Sequence, residues 1–196
     1  SGDNSDAQYL KRMLARVEGM PLASLDAGVP WGTWQSFADY LGCLDNTLAV
    51  NAGFLVGHSA LRRTVMGERA NAEEADATDL KNMKALLGES LRAGGLGFSS
   101  TLSPTHNDME GNPVPSRFAN QGELLALCGV CRDFPGTVLE FLPGTKEFDE
   151  DVYQLMASMS LAAQRPLNWN VFMPGNPAMD QSQLGATDYA RARGAD

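Results

Sequence analysis

The sequence is poor in the features that mark several classes of protein. Its 196 residues contain three cysteines, an odd number that does not form a disulfide framework and is typical of a reducing compartment. Cys128 and Cys131 form a C-x-x-C pair inside an apolar, helix-like run, but no second pair completes a zinc site, so we interpret them as core residues. No run of about 20 apolar residues and no signal peptide is present, and we therefore expect a cytoplasmic protein without membrane contacts.

Positive charge is also scarce. Lys and Arg together number 15 against 24 Asp and Glu, which gives a net charge of -9 and a pI of about 4.7. A surface that follows nucleic-acid phosphates needs clustered Lys and Arg. We therefore expect no nucleic-acid partner, and we interpret the acidity as a contribution to solubility.

What the chain does contain is an alternation of short apolar strands and amphipathic helices. Residues 1–47 predict a helical lead-in, and residues 48–196 predict four strand-helix units, all within a single segment. The predicted strands are 48–56, 96–102, 137–142 and 167–172, and the main helices between and after them are 79–93, 120–133, 149–163 and 180–193. This alternation predicts a parallel sheet, because each return to the same edge needs a crossover.

Such a sheet occurs in nucleotide-binding doubly wound domains and in (β/α) barrels. A glycine-rich phosphate motif after a strand would favour the nucleotide-binding domain. No motif of that kind follows any predicted strand, so a (β/α) barrel is the better interpretation. A closed barrel needs eight strands, and this chain supplies about four. We therefore predict the α/β class and a partial TIM (β/α)8 barrel, with four parallel units preceded by N-terminal helices.

Polar residues stand at the carboxyl ends of the predicted strands, where barrels place their chemistry. His58 directly follows the first strand and is a candidate catalytic acid or base; the alternative is a histidine satisfied by backbone groups that holds the next loop. Ser99, near the end of the second strand, is a candidate substrate-binding residue, although strand hydroxyls often satisfy only the backbone. Farther along, Thr78 is the predicted N-cap of the helix that begins at residue 79.

The loop over residues 103–118 is much longer than the usual strand-to-helix connection of about 2 to 6 residues. It contributes two candidate substrate-binding residues, His106 and Arg117, and a guanidinium group can grip a carboxylate through two parallel hydrogen bonds. The alternative is a solvated loop with an Asx-turn at Asn107 and Asp108. Both interpretations stay open at this point.

Five segments carry a resemblance to a known family: residues 12–21 (RMLARVEGMP), 51–66 (NAGFLVGHSALRRTVM), 104–108 (PTHND), 113–117 (PVPSR) and 165–171 (RPLNWNV). Together they resemble the N-acyl-D-amino-acid deacylase (D-aminoacylase) branch of the amidohydrolase superfamily. The resemblance implies a metal-dependent (β/α)8 barrel that hydrolyses the amide bond of N-acyl-D-amino acids. This chain resembles the central part of that barrel.

The family's metal-binding residues are only partly represented. The resemblance places its first-strand His-x-Asp-His-like pair and its Gly-Asn-Cys-Gly segment before Ser1, and its late aspartate after Asp196. Two further histidines of the family correspond to strands 137–142 and 167–171, which contain no histidine here. Glu140 is a candidate ligand for zinc or another divalent metal, whereas a neutral asparagine such as Asn168 is a poor one. Alternatively, Glu140 faces outward or pairs with an arginine, and this branch holds its metal differently or not at all.

The resemblance implies that the parent protein is a hydrolase of non-peptide carbon-nitrogen bonds, with a small-molecule amide as its substrate and a metal-activated water as the attacking group. Asn170, at the end of the fourth strand, is a further candidate substrate-binding residue. We expect this chain alone to be inactive. The alternative function is a non-catalytic half-barrel whose open sheet edges pair with a second copy or with the rest of a barrel.

Overall fold

The computed structural model describes residues 4–172 and 174–196, and these residues form one four-stranded sheet with helices around it. In chain order the elements are α1 (Asn4–Val17), α2 (Leu22–Gly28), α3 (Phe37–Leu44), β1 (Val56–Gly57), α4 (His58–Met66), α5 (Ala77–Arg92), β2 (Gly97–Thr101), α6 (Gln121–Val130), β3 (Val138–Leu142), α7 (Glu150–Ala163), β4 (Leu167–Trp169) and α8 (Pro177–Arg191). Short 3-10 turns cover Gly67–Asn71, Pro115–Phe118 and Cys131–Asp133.

All four strands run parallel, in the order β1-β2-β3-β4. Each strand is followed by at least one helix, and the sheet order equals the chain order, which is the arrangement of consecutive units in a (β/α) barrel. The predicted class is therefore confirmed: the chain is an α/β protein that forms part of a TIM barrel.

The two faces of the sheet differ in chemistry because side chains alternate along each strand. Phe98, Leu139 and Phe141 have no exposed surface and lie in the hydrophobic core beneath the helices. The opposite face carries a polar row, since the strand register aligns Ser99 with Glu140 and Glu140 with Asn168. In a barrel this second face points to the interior.

The first strand is much shorter than the predicted 48–56. Only Val56–Gly57 pair with β2, while Leu48 and Val50 are 46% and 74% exposed. One further backbone bond, from the N–H of Leu96 to the carbonyl of Phe54 (2.8 Å), extends the contact slightly. Among the described residues β1 has a neighbouring strand on one side only. Residues 48–55 therefore have the composition of a strand but lack the ladder of backbone hydrogen bonds that defines one.

The fourth strand also ends early, at Trp169 instead of residue 172, although the N–H of Asn170 still donates to the carbonyl of Phe141 (2.9 Å).

The predicted N-cap Thr78 is wrong. Asp76 caps α5, because its carboxylate accepts from the N–H groups of Thr78 (2.7 Å) and Asp79 (2.9 Å), and Asp79 completes the reciprocal capping box.

Candidate functional site

A cavity of about 460 Å³ lies at the carboxyl ends of the strands. One helix, α1, supplies part of its wall through Met13, Leu14, Val17 and Glu18. The start of α4 supplies His58 and Ser59, and the sheet and its connections supply Gly57, Ser99, Ser100, Thr101, His106, Val114, Ser116, Glu140, Leu142, Asn170 and Val171. The structure therefore brings five of the residues predicted from sequence to one cavity, and these are His58, Ser99, His106, Glu140 and Asn170.

His58 is the first residue of α4 and is only 1% exposed. Both of its ring nitrogens have partners: Nδ1 lies 2.8 Å from the hydroxyl of Ser100, and Nε2 lies 2.7 Å from Oε1 of Glu123. Burial lowers the pKa of His58, the bond to Glu123 opposes this, and the nearby guanidinium of Arg62 lowers the pKa further. The catalytic role of His58 stays a prediction, and its contacts favour a positioning role because neither nitrogen is left to meet a ligand.

Glu123 and Arg62 are the two members of this site that the sequence did not reveal. Glu123 is 3% exposed and Arg62 is fully buried, and Nη1 of Arg62 donates a hydrogen bond to Oε2 of Glu123. Burial alone would raise the pKa of Glu123, but the bonds from His58 and Arg62 outweigh it and lower the pKa. The available signal was the spacing of His58 and Arg62, which are four residues apart and therefore share one face of a helix.

Glu140 is held by two asparagine side chains at the end of the sheet. Nδ2 of Asn168 donates to its Oε2 (2.8 Å), and Nδ2 of Asn170 donates to its Oε1. The predicted alternative of a barrel arginine is not what the structure shows, since no arginine among the described residues forms an ion pair with Glu140. The carboxylate instead lies on the polar face of the sheet, next to Ser99 of β2.

This arrangement does not fit a metal. The described residues contain no group of three or more His, Cys, Asp or Glu side chains that could hold an ion. The groups nearest to Glu140 are amide N–H donors, which point positive charge at the carboxylate, and a cation prefers lone-pair donors there. Zinc or another divalent ion in the parent protein stays a prediction, and Glu140 is not part of a complete ligand set in the described part of the chain.

His106 differs from His58 because its ring has no hydrogen-bond partner among the described residues. Its backbone is fixed, since its carbonyl accepts from Nη1 of Arg117 at 3.2 Å. Burial lowers the pKa of His106, Glu18 raises it and Arg117 lowers it, and the net shift is downward. At neutral pH the half-buried ring is an uncharged imidazole that faces the cavity and can donate or accept a hydrogen bond.

Arg117 is the one predicted substrate-binding residue that the structure does not bring to the cavity. Its Nη1 donates to Oδ1 of Asn107 (2.8 Å) as well as to the carbonyl of His106. Through these bonds the Arg117 side chain stabilises the loop 103–118, and it does not line the cavity. A grip on a substrate carboxylate by Arg117 remains a prediction that this geometry does not favour.

The rest of that loop is well ordered by its own polar groups. Oδ1 of Asp108 accepts from the N–H groups of Glu110 (3.1 Å) and Asn112 (2.8 Å), which is the Asx-turn expected from the sequence. The carboxylate is nevertheless buried, at 4% exposure. The loop is also attached to the sheet, because the hydroxyl of Ser116 donates to the carbonyl of Thr101 (2.9 Å). The long loop thus forms a fixed wall of the cavity.

Comparison with known proteins identifies relatives of this arrangement. No family model matches the chain. An uncharacterized protein of Mycobacterium tuberculosis is 32% identical over 166 residues, which cover 80% of this chain and 26% of that protein. A D-aminoacylase of Alcaligenes xylosoxydans xylosoxydans is 40% identical over 81 residues, which cover 41% of this chain and 16% of that enzyme. The chain thus spans about a quarter of the length of the first of these curated relatives.

Solved structures agree with the sequence matches. A D-aminoacylase mutant in complex with copper chloride has a TM-score of 0.61 at 25% identity, and an N-acyl-D-glutamate deacylase of Bordetella bronchiseptica, complexed with zinc and a phosphonate inhibitor, has a TM-score of 0.65 at 21% identity. Each covers 88% of this chain, and the chain covers 35% of each. These findings confirm the resemblance to the D-aminoacylase branch of the amidohydrolases over part of the barrel. Separately, none of the helices in the described residues has the length and apolar character required to span a membrane.

Proposed function

We propose that this chain is part of a hydrolase that cleaves the carbon-nitrogen bond of an N-acyl-D-amino acid or a similar small amide. The observation that carries the proposal is the convergence of Ser99, His106, Glu140 and Asn170 on one cavity at the carboxyl ends of parallel strands. In TIM-barrel enzymes that end of the sheet holds the active site. The similarity to D-aminoacylase and N-acyl-D-glutamate deacylase supports the reaction class.

The cavity has the composition that a small acylated molecule requires. Its volume of about 460 Å³ lies in the usual range for ligand pockets, which is about 300 to 1,000 Å³. Met13, Leu14 and Val171 provide apolar surface that suits an acyl chain, while hydroxyl and amide groups provide donors and acceptors for the amide itself. Such a mixture of apolar wall and few polar groups is typical of a site that orients its ligand.

Within this proposal His106 and Glu140 are the residues that contact the substrate near the scissile bond. His106 offers an uncharged ring with free nitrogens, which can give or take a proton near neutral pH. Glu140 offers a carboxylate that the amides of Asn168 and Asn170 hold in one orientation. Both features support proton transfer or substrate orientation by side chains of this chain.

A divalent metal in the intact enzyme is a separate part of the proposal, supported by the copper and zinc in the related structures. The described residues do not provide its ligand set. We therefore assign no metal-dependent step to His106, Glu140 or Asn170. If the intact protein binds a metal, Glu140→Gln tests whether this carboxylate takes part, because metal content and turnover can be measured on the same sample.

The proposal is tested by incubating the intact protein that carries this chain with N-acetyl derivatives of D- and L-amino acids and measuring the release of free amino groups, with and without added zinc. We expect hydrolysis of D-derivatives. We also expect Glu140→Gln to reduce it at least tenfold, whereas Glu147→Gln, at an exposed position, leaves it unchanged. A folded protein that hydrolyses no member of the panel under either condition would contradict the proposed function.

The second candidate function, self-association of a non-catalytic half-barrel, has one observation in its favour. In the described part of the chain, β1 and β4 each have a neighbouring strand on one side only, and apolar residues next to them are exposed, including Val50 (74%) and Phe172 (41%). Open strand edges of this kind pair readily with other strands. Sedimentation of the 196-residue chain separates the two cases: a stable dimer without hydrolytic activity supports association, and a monomer contradicts it.

A further inference from the structure

The buried network of His58, Glu123 and Arg62 meets the cavity at His58 and at Ser100, which is hydrogen-bonded to His58. Side chains alternate along β2, so Ser100 lies on the helix-facing side next to α4, and at the end of the strand it also lines the cavity. Its hydroxyl lies 2.8 Å from Nδ1 of His58, which is its one side-chain hydrogen bond among the described residues. The direction of that bond therefore decides what Ser100 offers to a ligand.

The position of the proton on His58 follows from the geometry at its other nitrogen. Nε2 faces Oε1 of Glu123 at 2.7 Å, and the second oxygen of that carboxylate accepts from Arg62. Because the carboxylate is bound by a guanidinium and is ionised, it can only accept hydrogen bonds. Nε2 must therefore carry a hydrogen.

A second proton on the ring is opposed by the surroundings. His58 is 1% exposed, so a charged imidazolium would be buried, and the guanidinium of Arg62 lies on the same carboxylate. In the neutral ring Nδ1 then carries no hydrogen and acts as a hydrogen-bond acceptor. The hydroxyl hydrogen of Ser100 points to His58, and the remaining lone pairs of its oxygen are left for the cavity.

We propose that Ser100 is a fixed hydrogen-bond acceptor in the cavity and selects ligands that present an N–H group, with His58, Glu123 and Arg62 acting as positioning residues. The identity of that N–H as the amide of an N-acyl amino acid rests on the proposed function. Ser99 provides the natural contrast. It lines the same cavity, but its hydroxyl has no hydrogen bond within the described residues and can turn to donate or accept.

The proton position can be measured on the 196-residue chain without any ligand. The sequence contains two histidines, so a sample labelled with nitrogen-15 histidine gives two ring spin systems, and the variant His106→Gln assigns them. We expect the ring of His58 to show a protonated Nε2 and a bare Nδ1 at pH 7. A hydrogen on Nδ1, in either the other tautomer or the charged ring, would overturn the proposal.

Ligand selection is tested with a matched pair, an N-acetyl-D-amino acid and its N-methyl derivative, whose amide has no hydrogen. We expect Ser100→Ala to weaken binding of the N–H ligand about tenfold, the loss of one hydrogen bond, while binding of the N-methyl ligand hardly changes. Ser24→Ala, which removes an exposed hydroxyl of α2 outside the cavity, is the control and should change both affinities less than about twofold. Equal losses for both ligands in Ser100→Ala would contradict the selection of an N–H group.

The two failures are distinguishable. If the wild-type protein binds neither member of the pair, the proposed substrate class is wrong, and the labelled histidine spectrum still decides whether Ser100 is a fixed acceptor. The variant Ser100→Thr adds a further check, since it keeps the hydroxyl and should keep the preference for the N–H ligand. If Ser100→Thr loses the preference as fully as Ser100→Ala, the hydroxyl is not its origin.

Discussion

The two histidines of this chain stand at the same cavity in opposite circumstances. His58 is 1% exposed, and both ring nitrogens are bound by Ser100 and Glu123. His106 is partly exposed, and its ring is without a hydrogen-bond partner in the described part of the chain. One ring is part of the interior, while the other is held by its backbone and leaves its nitrogens to the cavity.

The difference shows that proximity to a cavity does not by itself indicate a catalytic role. A nitrogen that already holds a buried carboxylate cannot exchange protons with a ligand without breaking that bond, whereas a free nitrogen can. We therefore assign structural and positioning effects to the His58 region and ligand-directed effects to the His106 region. Substitutions in the His58 region should therefore change mainly stability, and substitutions in the His106 region should change mainly ligand binding and activity.

The largest effect is expected from removing the carboxylate of the buried network. Glu123→Ala leaves Arg62 fully buried without its ion-pair partner and leaves His58 without an acceptor. Loss of one partner of a buried ion pair typically costs about 3 to 5 kcal/mol of unfolding free energy. Urea unfolding followed by circular dichroism measures this change.

A matched control is Glu73→Ala, which removes an exposed carboxylate that forms an ion pair with Arg69 on the surface. The backbone carbonyl of Glu73, which accepts from Arg62, is retained in this variant. Its unfolding midpoint should stay close to that of the wild type, because exposed pairs contribute little. If both variants lose the same stability, the buried network is not the stabilising element described above.

The next effect concerns activity in the intact enzyme and depends on the proposed function. His106→Gln retains a polar side chain of similar length but cannot exchange a proton near neutral pH, so we expect kcat to fall about 100-fold, a usual contribution of a general acid or base. The unfolding free energy should change little, since the ring has no hydrogen-bond partner among the described residues to lose. Unchanged kcat would show that His106 only lines the cavity.

A smaller effect is expected in the pH dependence of stability. Because the pKa of His58 in the folded chain lies below its ordinary value of 6.5, the unfolded chain takes up this proton first on acidification. The stabilising contribution is therefore complete above about pH 6.5 and declines below it, by up to about 1.4 kcal/mol per pH unit. Urea unfolding between pH 7 and pH 5 gives the slope.

The variant His58→Phe keeps an aromatic ring next to Phe98 and removes the titrating group, so its stability should depend less on pH over this interval even though its overall stability is lower. Glu123, whose pKa is also lowered, loses its contribution at more acidic pH, below its ordinary value of 4.5. An equally steep slope in His58→Phe would place the pH dependence elsewhere.

The same contrast explains how far the sequence predicts this molecule. Strand β3 was expected at 137–142 and is found at Val138–Leu142, because a central strand needs only its own apolar residues and a neighbour on each side. The first strand was expected to be nine residues long by the same pattern and is found as Val56–Gly57. Pairing requires a partner, and the composition of one segment carries no information about whether a partner lies beside it.

The candidate site shows the same division. Residues at strand ends, such as Ser99 and Asn170, were predictable because parallel strands bring their carboxyl ends together. Glu123 was not, since it lies in an apolar run of α6 and meets Arg62 across 61 residues of sequence. Only packing of α4 against its neighbours determines that the two charges meet.

The smallest effect is expected from Arg117, whose side chain supports the His106 region without contacting the cavity. Arg117→Ala removes the bonds from Nη1 to Asn107 and to the carbonyl of His106, so the loop 103–118 loses part of its fixation. We expect a loss of about 1 kcal/mol in unfolding free energy, typical of one or two partly exposed hydrogen bonds, and faster amide hydrogen exchange confined to that loop.

Arg117→Lys keeps the charge but cannot reproduce the planar guanidinium, so it should resemble Arg117→Ala if hydrogen-bond geometry matters and the wild type if only charge does. If the intact protein that carries this chain instead shows a selective loss of affinity for ligands with a carboxylate, with loop exchange unchanged, Arg117 is a substrate-binding residue and the contrast between the two regions is weaker.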